Sequence, residues 1–163
     1  MSSEEQRSAA TRVLDLCRAR ALKVATAESC TGGAVAAALT DIPGSSDVLD
    51  CGFVTYSNEA KQLLLGVPAA ILSSHGAVSR ETAEAMARGA QSVSGADLVV
   101  AITGIAGPGG GSAEKPVGLV HFAAAGEHSL VHLEKRYGDL GRAEVRRRSV
   151  LDALALLERL AKI

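Results

Sequence analysis

The segment Asp97-Leu-Val-Val-Ala-Ile-Thr103 is almost continuously apolar, and a glycine-rich stretch from Gly104 to Pro116 follows it directly. Apolar runs of this kind are typical of parallel strands that are buried on both faces of a sheet. We therefore predict a central strand over Asp97–Thr103, followed by a long loop. A strand buried on both faces needs helices above and below it, which favours an α/β fold.

The segments on either side of this strand support the same fold. Before it, predicted strands alternate with helices, and serine residues stand at helix-capping positions. After it come a predicted hairpin around Gly126-Glu127 and a long helix. The predicted strands are Lys23–Ala27, Asp50–Tyr56, Val117–Ala125 and Ser129–Lys135, and the predicted helices begin near Ser3, Ala34, Ser57, Ser79 and Arg142. We predict a single domain over residues 1–163, a three-layer α/β/α domain with a mixed, mostly parallel sheet.

The composition excludes several classes of function. Hydrophobic residues make up 47% and charged residues 21% of the 163 residues, as in ordinary globular domains. A net charge of −1 and an aromatic content of 2% provide neither the basic field nor the stacking surface that nucleic acids and anionic membranes select. We therefore predict a small-molecule partner, with no nucleic acid and no membrane.

The cysteines and histidines argue against a disulfide framework or a metal site. Cys17, Cys30 and Cys51 are odd in number and lack short paired spacing. His128 and His132 are four residues apart, which suits zinc on a helix, but their segment is a predicted strand. The first residues are polar and acidic, unlike a signal peptide, and no apolar run approaches the ~18 residues of a membrane span. We predict a cytoplasmic protein without a metal site.

The first candidate site is Ala27-Glu28-Ser29-Cys30-Thr31-Gly32-Gly33, between a predicted strand and a predicted helix. Ligands of open α/β sheets bind at the carboxyl ends of strands, and backbone N–H groups at a helix start can hold an oxyanion. Ser29 is therefore a candidate nucleophile, with Cys30, Thr31, Gly32 and Gly33 around the oxyanion. The alternative is that Ser29 or Thr31 only caps the helix. Cys30 as the nucleophile is a weaker alternative.

The second candidate site contains Tyr56 and Lys61. A serine hydroxyl needs a base, and no histidine lies near either segment in the sequence. A lysine whose pKa is lowered by burial is the natural base here, with Tyr56 relaying the proton or orienting the base. Read alone, Lys61 is more often a solvated lysine on a helix surface.

The third candidate site is the loop Gly104–Gly111, which includes Gly107. Its backbone donors suit a phosphate or a sugar, although it lacks the Gly-Lys-Ser/Thr ending of a Walker loop and precedes a strand. The alternative is a flexible connection. Among the basic residues near the final helix, Arg142 is a candidate clamp for a phosphate or carboxylate, although such clusters are usually solvated.

Taken together and in order, these motifs closely resemble the CinA C-terminal family, the nicotinamide-nucleotide amidohydrolases. The resemblance extends from about Ala10 to Leu157. It rests on Ala27–Gly33, Pro43-Gly44-Ser45-Ser46, Tyr56-Ser-Asn-Glu-Ala-Lys61, Gly76-Ala77-Val78-Ser79, Thr103-Gly-Ile-Ala-Gly-Pro108 and Lys115-Pro116-Val117-Gly118.

The resemblance implies hydrolysis of the carboxamide of nicotinamide mononucleotide to nicotinate mononucleotide and ammonia, in pyridine nucleotide recycling. It implies that Ser29, Tyr56 and Lys61 are catalytic, that Thr103 and Gly104 belong to the site, and that the protein is a homo-oligomer such as a dimer. The family's Gly-Asp-Arg motif carries two extra residues here, so Arg142 and Arg146 both compete for the ligand contact. The resemblance implies neither a metal nor an organic cofactor, and it leaves the role of Glu28 open, with the orientation of Lys61 as one candidate.

Two other functions remain compatible with these motifs. One is a nucleotide-binding regulator without catalysis, linked to competence or DNA damage. The other is an amidase that acts on a different amide. A pure binding protein has little need for a nucleophile and a base together, which favours an enzyme.

Overall fold

The computed structural model describes residues 1–163, which form six α-helices, one short 3-10 helix and five β-strands. The strands are β1 (Val24–Glu28), β2 (Leu49–Val54), β3 (Leu98–Gly104), β4 (Leu119–Ala125) and β5 (Leu130–Arg136). The helices are α1 (Glu4–Ala19), α2 (Ala34–Thr40), α3 (Asn58–Leu65), α4 (Ala69–His75), α5 (Arg80–Ser94) and α6 (Arg142–Ala161), with the 3-10 helix at Ser45–Asp47.

The strands form one open sheet in the order β2-β1-β3-β4-β5. Strand β1 is parallel to both β2 and β3, whereas β4 is antiparallel to both β3 and β5. The predicted mixed sheet is confirmed, but its pairings divide evenly, so the expected predominance of parallel pairs is corrected. The reason is the connection after β3: it contains no crossover helix, and without one the chain returns antiparallel.

Helices cover both faces of the sheet, which confirms the predicted three layers. Helices α1, α2 and α6 pack over one face, and α3, α4 and α5 over the other. Strand β3 contributes to both cores, because Val100 and Ile102 face the first layer while Val99 and Ala101 face the second. This two-sided burial explains the apolar run in the sequence.

Serine caps begin three of the helices as the sequence predicts. The Ser3 hydroxyl accepts from the Gln6 amide in a reciprocal capping box, and Ser57 and Ser79 accept from the third residue after them. The seven-residue α4 was not predicted, since it follows Pro68 and has no side-chain cap. None of the helices combines the length and apolar character that a membrane crossing requires.

Candidate active site

The carboxyl ends of three parallel strands meet at one edge of the sheet. Ser29 directly follows β1, Thr55 and Tyr56 follow β2, and Gly104 ends β3. Because β1 lies between β2 and β3, the segments that leave these strands are neighbours in space. This is the edge at which ligands of open α/β sheets bind.

Lys61 and Ser29 form a buried hydrogen-bonded pair at this edge. The Lys61 Nζ lies 3.1 Å from the Ser29 Oγ, and the two residues are only 1% and 9% exposed. Ser57 caps α3 and thereby fixes the helical turn that carries Lys61 toward β1. The alternative of a solvated lysine is therefore wrong.

Lys61 lies in a buried site with three oxygen acceptors. Burial lowers the pKa of Lys61 below the ordinary lysine value. Its Nζ donates to the backbone carbonyls of Thr55 at 2.8 Å and Tyr56 at 3.3 Å, and also to the Ser29 Oγ. The two carbonyls hold Nζ beside the Ser29 hydroxyl, which is the placement that a general base needs.

Glu28 caps helix α2 and does not contact Lys61. Its fully buried carboxylate accepts from the backbone N–H groups of Val35 at 2.9 Å and Ala36 at 3.1 Å, and from the Thr26 hydroxyl at 3.3 Å. The helix has no side-chain cap from Ser29 or Thr31, because its N-cap residue is Gly33. The predicted orientation of Lys61 by Glu28 is therefore wrong, and so is the capping alternative for Ser29 and Thr31.

The turn after Ser29 presents unused backbone donors. The Gly32 N–H donates to the Ser29 carbonyl at 3.0 Å, while the N–H groups of Cys30, Thr31 and Gly33 have no partner within the chain. These three groups are available to a developing oxyanion. Burial raises the pKa of the Cys30 thiol to about 12, which keeps it protonated and argues against Cys30 as the nucleophile.

Tyr56 contributes its backbone to the base and its side chain to a different group. The phenol is 58% exposed and accepts from Arg142 Nη2 at 2.7 Å, while only the Tyr56 carbonyl contacts Lys61. Arg142 also donates to the Gly107 carbonyl at 3.0 Å. The predicted proton relay through the Tyr56 hydroxyl is therefore corrected: the side chain joins Arg142 to the site.

Thr103, Gly104 and Gly107 shape the loop through packing. The Thr103 hydroxyl donates to the Ala77 carbonyl at 2.7 Å and so ties the segment before α5 to β3. A Cβ at Gly104 would lie 2.7 Å from the Val120 side chain. Thr103 and Gly104 thus make packing and hydrogen-bond contacts at the end of β3. Of the three residues, only Gly107 contacts a predicted site residue, because its carbonyl accepts from Arg142.

Arg146 lies on the other side of the Ser29 turn. Its Nε donates to the Cys30 carbonyl at 3.1 Å and its Nη2 to the Thr31 carbonyl at 3.0 Å. The sequence identified Arg146 only as a competitor of Arg142, whereas the structure brings both to the site in different roles. Sequence reasoning also missed the contact between Lys61 and the Thr55 carbonyl. The one available signal was the position of Thr55 near the end of a predicted strand.

None of the histidines contacts Ser29 or Lys61. His132 pairs with His121 at 2.9 Å on neighbouring strands, and His128 is exposed in the hairpin turn. No three of the histidine, cysteine, aspartate and glutamate side chains group together in a way that could hold a metal ion.

Fold and site together define an α/β domain that carries a buried serine–lysine pair at the carboxyl edge of its sheet. Residues 6–161 match the family model described as CinA C-terminal domain, and the chain belongs to that family. The resemblance seen in the sequence is thereby confirmed at the level of the family.

Relatives and solved structures agree with this assignment. A CinA-like protein of Synechococcus sp. (strain RCC307) is 56% identical over 92% of this chain and 36% of its own length. The chain thus spans about a third of the length of curated relatives that it matches. The crystal structure of competence/damage inducible protein CihA from Agrobacterium tumefaciens is 52% identical, covers 98% of both chains and superposes with a TM-score of 0.97. A CinA superfamily protein from Klebsiella pneumoniae is 36% identical over 96% of this chain and 98% of its own, with a TM-score of 0.91.

Proposed function

We propose that this protein hydrolyses the carboxamide of nicotinamide mononucleotide to nicotinate mononucleotide and ammonia. The observation that carries the proposal is the 3.1 Å contact between Lys61 Nζ and Ser29 Oγ, buried at the carboxyl edge of the sheet. A serine hydroxyl and a lysine amine at this distance form a nucleophile and its base. The nicotinamide substrate is what the resemblance to nicotinamide-nucleotide amidohydrolases implies.

In the first half of the reaction, Ser29 Oγ attacks the carboxamide carbon while its proton passes to Lys61 Nζ. The carbonyl oxygen becomes an oxyanion, which the unused N–H groups of the Ser29 turn stabilise. The C–N bond then breaks, and Lys61 returns the proton to the leaving nitrogen, which departs as ammonia. The product of this half is an ester between Ser29 and the nicotinoyl group.

In the second half, water attacks the ester carbonyl and gives its proton to Lys61. The bond between the carbonyl carbon and Ser29 Oγ breaks, and the serine oxygen takes back the proton. Lys61 thus serves as base and then as acid in each half, which needs an amine with a pKa closer to neutrality than that of a free lysine. Burial shifts the pKa of Lys61 in this direction.

Charge at the site supports an anionic nucleotide as substrate. Arg142 and Arg146 donate only to carbonyl and phenol oxygens, so no carboxylate neutralises their charges. Arg142 is exposed and stands between Tyr56 and the glycine-rich loop. A guanidinium group in this place suits the phosphate of a mononucleotide whose ribose lies along the loop.

The test is ammonia release from nicotinamide mononucleotide by the purified, metal-stripped protein, with Ser29→Ala beside it. We expect steady release by the wild-type protein and no release by the variant, since the hydroxyl that forms the ester is gone. A variant that keeps more than a few per cent of the wild-type rate would remove Ser29 as the nucleophile.

Two other outcomes would replace the proposal. Nucleotide binding without ammonia release would favour a regulator, in line with the names of relatives described as competence-damage inducible. If the nucleotide neither bound nor reacted but other amides were hydrolysed, the protein would be an amidase of different specificity.

A further inference from the structure

Arg146 connects the last helix to the turn that follows the proposed nucleophile. It stands on α6, 116 residues after Cys30 and 115 after Thr31, and it donates to the backbone carbonyls of both. A guanidinium group offers its donors in a rigid planar fork, and here the fork binds two successive carbonyls. Such a contact fixes the orientation of two consecutive peptide groups.

That orientation determines where the N–H groups of the turn point. Both peptide bonds are trans, since the chain's only cis bond lies at Gly107-Pro108, and in a trans peptide the C=O and N–H point in opposite directions. With the carbonyls of Cys30 and Thr31 held by Arg146, the N–H groups of Thr31 and Gly32 point away from Arg146.

One of these two N–H groups contacts the backbone of Ser29. The Gly32 N–H donates to the Ser29 carbonyl at 3.0 Å, which shows its direction. The Thr31 N–H is directed away from the same guanidinium group and has no partner within the chain. Successive N–H groups on one side of a turn form a concave site for a negative charge.

We propose that Arg146 is a positioning residue that holds the Thr31 N–H in place as an oxyanion donor beside Ser29. This inference rests on the proposed function, because it assigns a cause to the oxyanion stabilisation in that reaction. It gives the two arginines different roles. Arg142 is placed to contact the ligand, whereas the Nε and Nη2 of Arg146 both donate to carbonyls of the turn.

The local sequence agrees with this role. Gly32 has a φ of +59°, a backbone conformation that favours glycine, and a Cβ there would lie 3.4 Å from Arg146 Nη2. That distance is an ordinary van der Waals contact, so the positive φ is the feature that favours glycine at position 32. A lysine at position 146 would carry one compact donor group and could not reproduce the planar fork.

The first experiment measures kcat and KM for nicotinamide mononucleotide in Arg146→Ala and Arg146→Lys. Loss of a positioned oxyanion donor lowers kcat by about 10²-fold, and we expect this loss with KM within about threefold of wild type. Added methylguanidinium should restore part of the kcat of Arg146→Ala and none of that of Arg146→Lys, which still fills the space. Arg147→Ala is the matched control, since Arg147 is a neighbour on α6 whose contacts are with Glu5 and Glu144.

The kinetic outcomes decide between the two roles. Arg142→Ala should raise KM more than it lowers kcat. If Arg146→Ala instead raised KM tenfold with kcat unchanged, Arg146 would be a ligand contact and the proposal would be wrong. Unchanged kcat and KM in both Arg146 variants would overturn it equally.

A second experiment does not depend on the substrate. A fluorophosphonate forms a bond between phosphorus and Ser29 Oγ, releases fluoride and gives the serine proton to Lys61, and mass spectrometry measures the rate. We expect Arg146→Ala to be labelled at least tenfold more slowly than the wild-type protein, and the control Arg147→Ala at about the wild-type rate. Equal labelling of Arg146→Ala, or no labelling of the wild-type protein at Ser29, would refute the positioning role. Labelling that depends on Arg146 without turnover of the nucleotide would refute only the proposed substrate.

Discussion

The turn after β1 and the loop after β3 leave neighbouring parallel strands at the same edge, yet they are built in opposite ways. The turn, residues 29–33, is held by the hydrogen bond between Ser29 and Lys61 and by the bonds from Arg146 to the carbonyls of Cys30 and Thr31. The loop, residues 105–118, is tied mainly near its ends, and residues 108–114 in its middle are exposed. In the proposed reaction, the turn would supply fixed geometry for bond breaking, and the exposed loop would supply a surface for the rest of the ligand.

The largest expected effect concerns the base beside the turn. Lys61→Met keeps much of the buried volume but removes the amine, so we expect kcat to fall by about 10³-fold with little change in substrate affinity. Steady-state kinetics with a separate binding titration measures both quantities. Should affinity collapse while turnover of bound substrate persists, Lys61 would be a phosphate contact and the contrast between turn and loop would fail.

The pH dependence of the same group gives the next effect. Because Lys61 acts as a base when neutral, kcat/KM should rise about tenfold per pH unit below its pKa and level off above it. Burial lowers that pKa, so the midpoint should lie below the value of a free lysine. The stability of the fold changes with pH in the same direction. Between the lowered pKa of Lys61 in the folded protein and its ordinary pKa in the unfolded chain, only the unfolded chain binds the proton. The free energy of unfolding therefore rises with pH in this range. A pH profile of kcat/KM that is flat up to the ordinary lysine range would contradict this assignment.

A smaller effect is expected from Glu28, whose carboxylate caps α2 directly after the turn. Glu28→Gln leaves one oxygen to accept while an amide NH2 faces a backbone N–H of α2, so one buried donor loses its partner. We expect the free energy of unfolding to fall by about 1–3 kcal/mol, measured by urea denaturation. Glu59→Gln, on the exposed first turn of α3, serves as the control and should change stability by less than about 0.5 kcal/mol.

The remaining effects separate two glycines of the loop. Gly107 has a φ of +81° and its Cβ would lie 2.6 Å from the Val117 side chain, so Gly107→Ala should cost about 2–4 kcal/mol of stability. Gly109 has open space around it and no such backbone strain, so Gly109→Ala should change stability by less than about 1 kcal/mol. Thermal unfolding of the two variants measures the difference. Equal losses would show that the middle of the loop is as constrained as its ends.

Local signals in the sequence predict most of the fold. Strand β3 was recognisable because its residues are apolar on both faces, and α1, α3 and α5 because serine caps depend only on residues three positions apart. The proportion of parallel pairs was not predictable in this way. It depends on the direction in which the chain returns after β3, which a glycine-rich segment leaves open.

The site was predicted in its residue types and only partly in its contacts. Ser29 and Lys61 meet as the sequence suggested, because both leave neighbouring strand ends. The partners of Glu28 lie seven and eight residues further along, and their direction depends on how α2 packs. The division of roles between Arg142 and Arg146 follows from the placement of one helix against two distant loops, which no local pattern encodes.

The long separation between Arg146 and the turn has a consequence for the order in which the protein is made. Ribosomes deliver Ser29 and Lys61 about a hundred residues before they deliver Arg146, and domains fold from the N-terminal side during synthesis. A nascent chain can therefore pair the serine with the lysine while the peptide groups of the turn are still free to rotate. If Arg146 has the positioning role proposed above, Ser29 would reach full reactivity only when α6 docks, and an unfinished chain would hold the serine–lysine pair without the ordered turn.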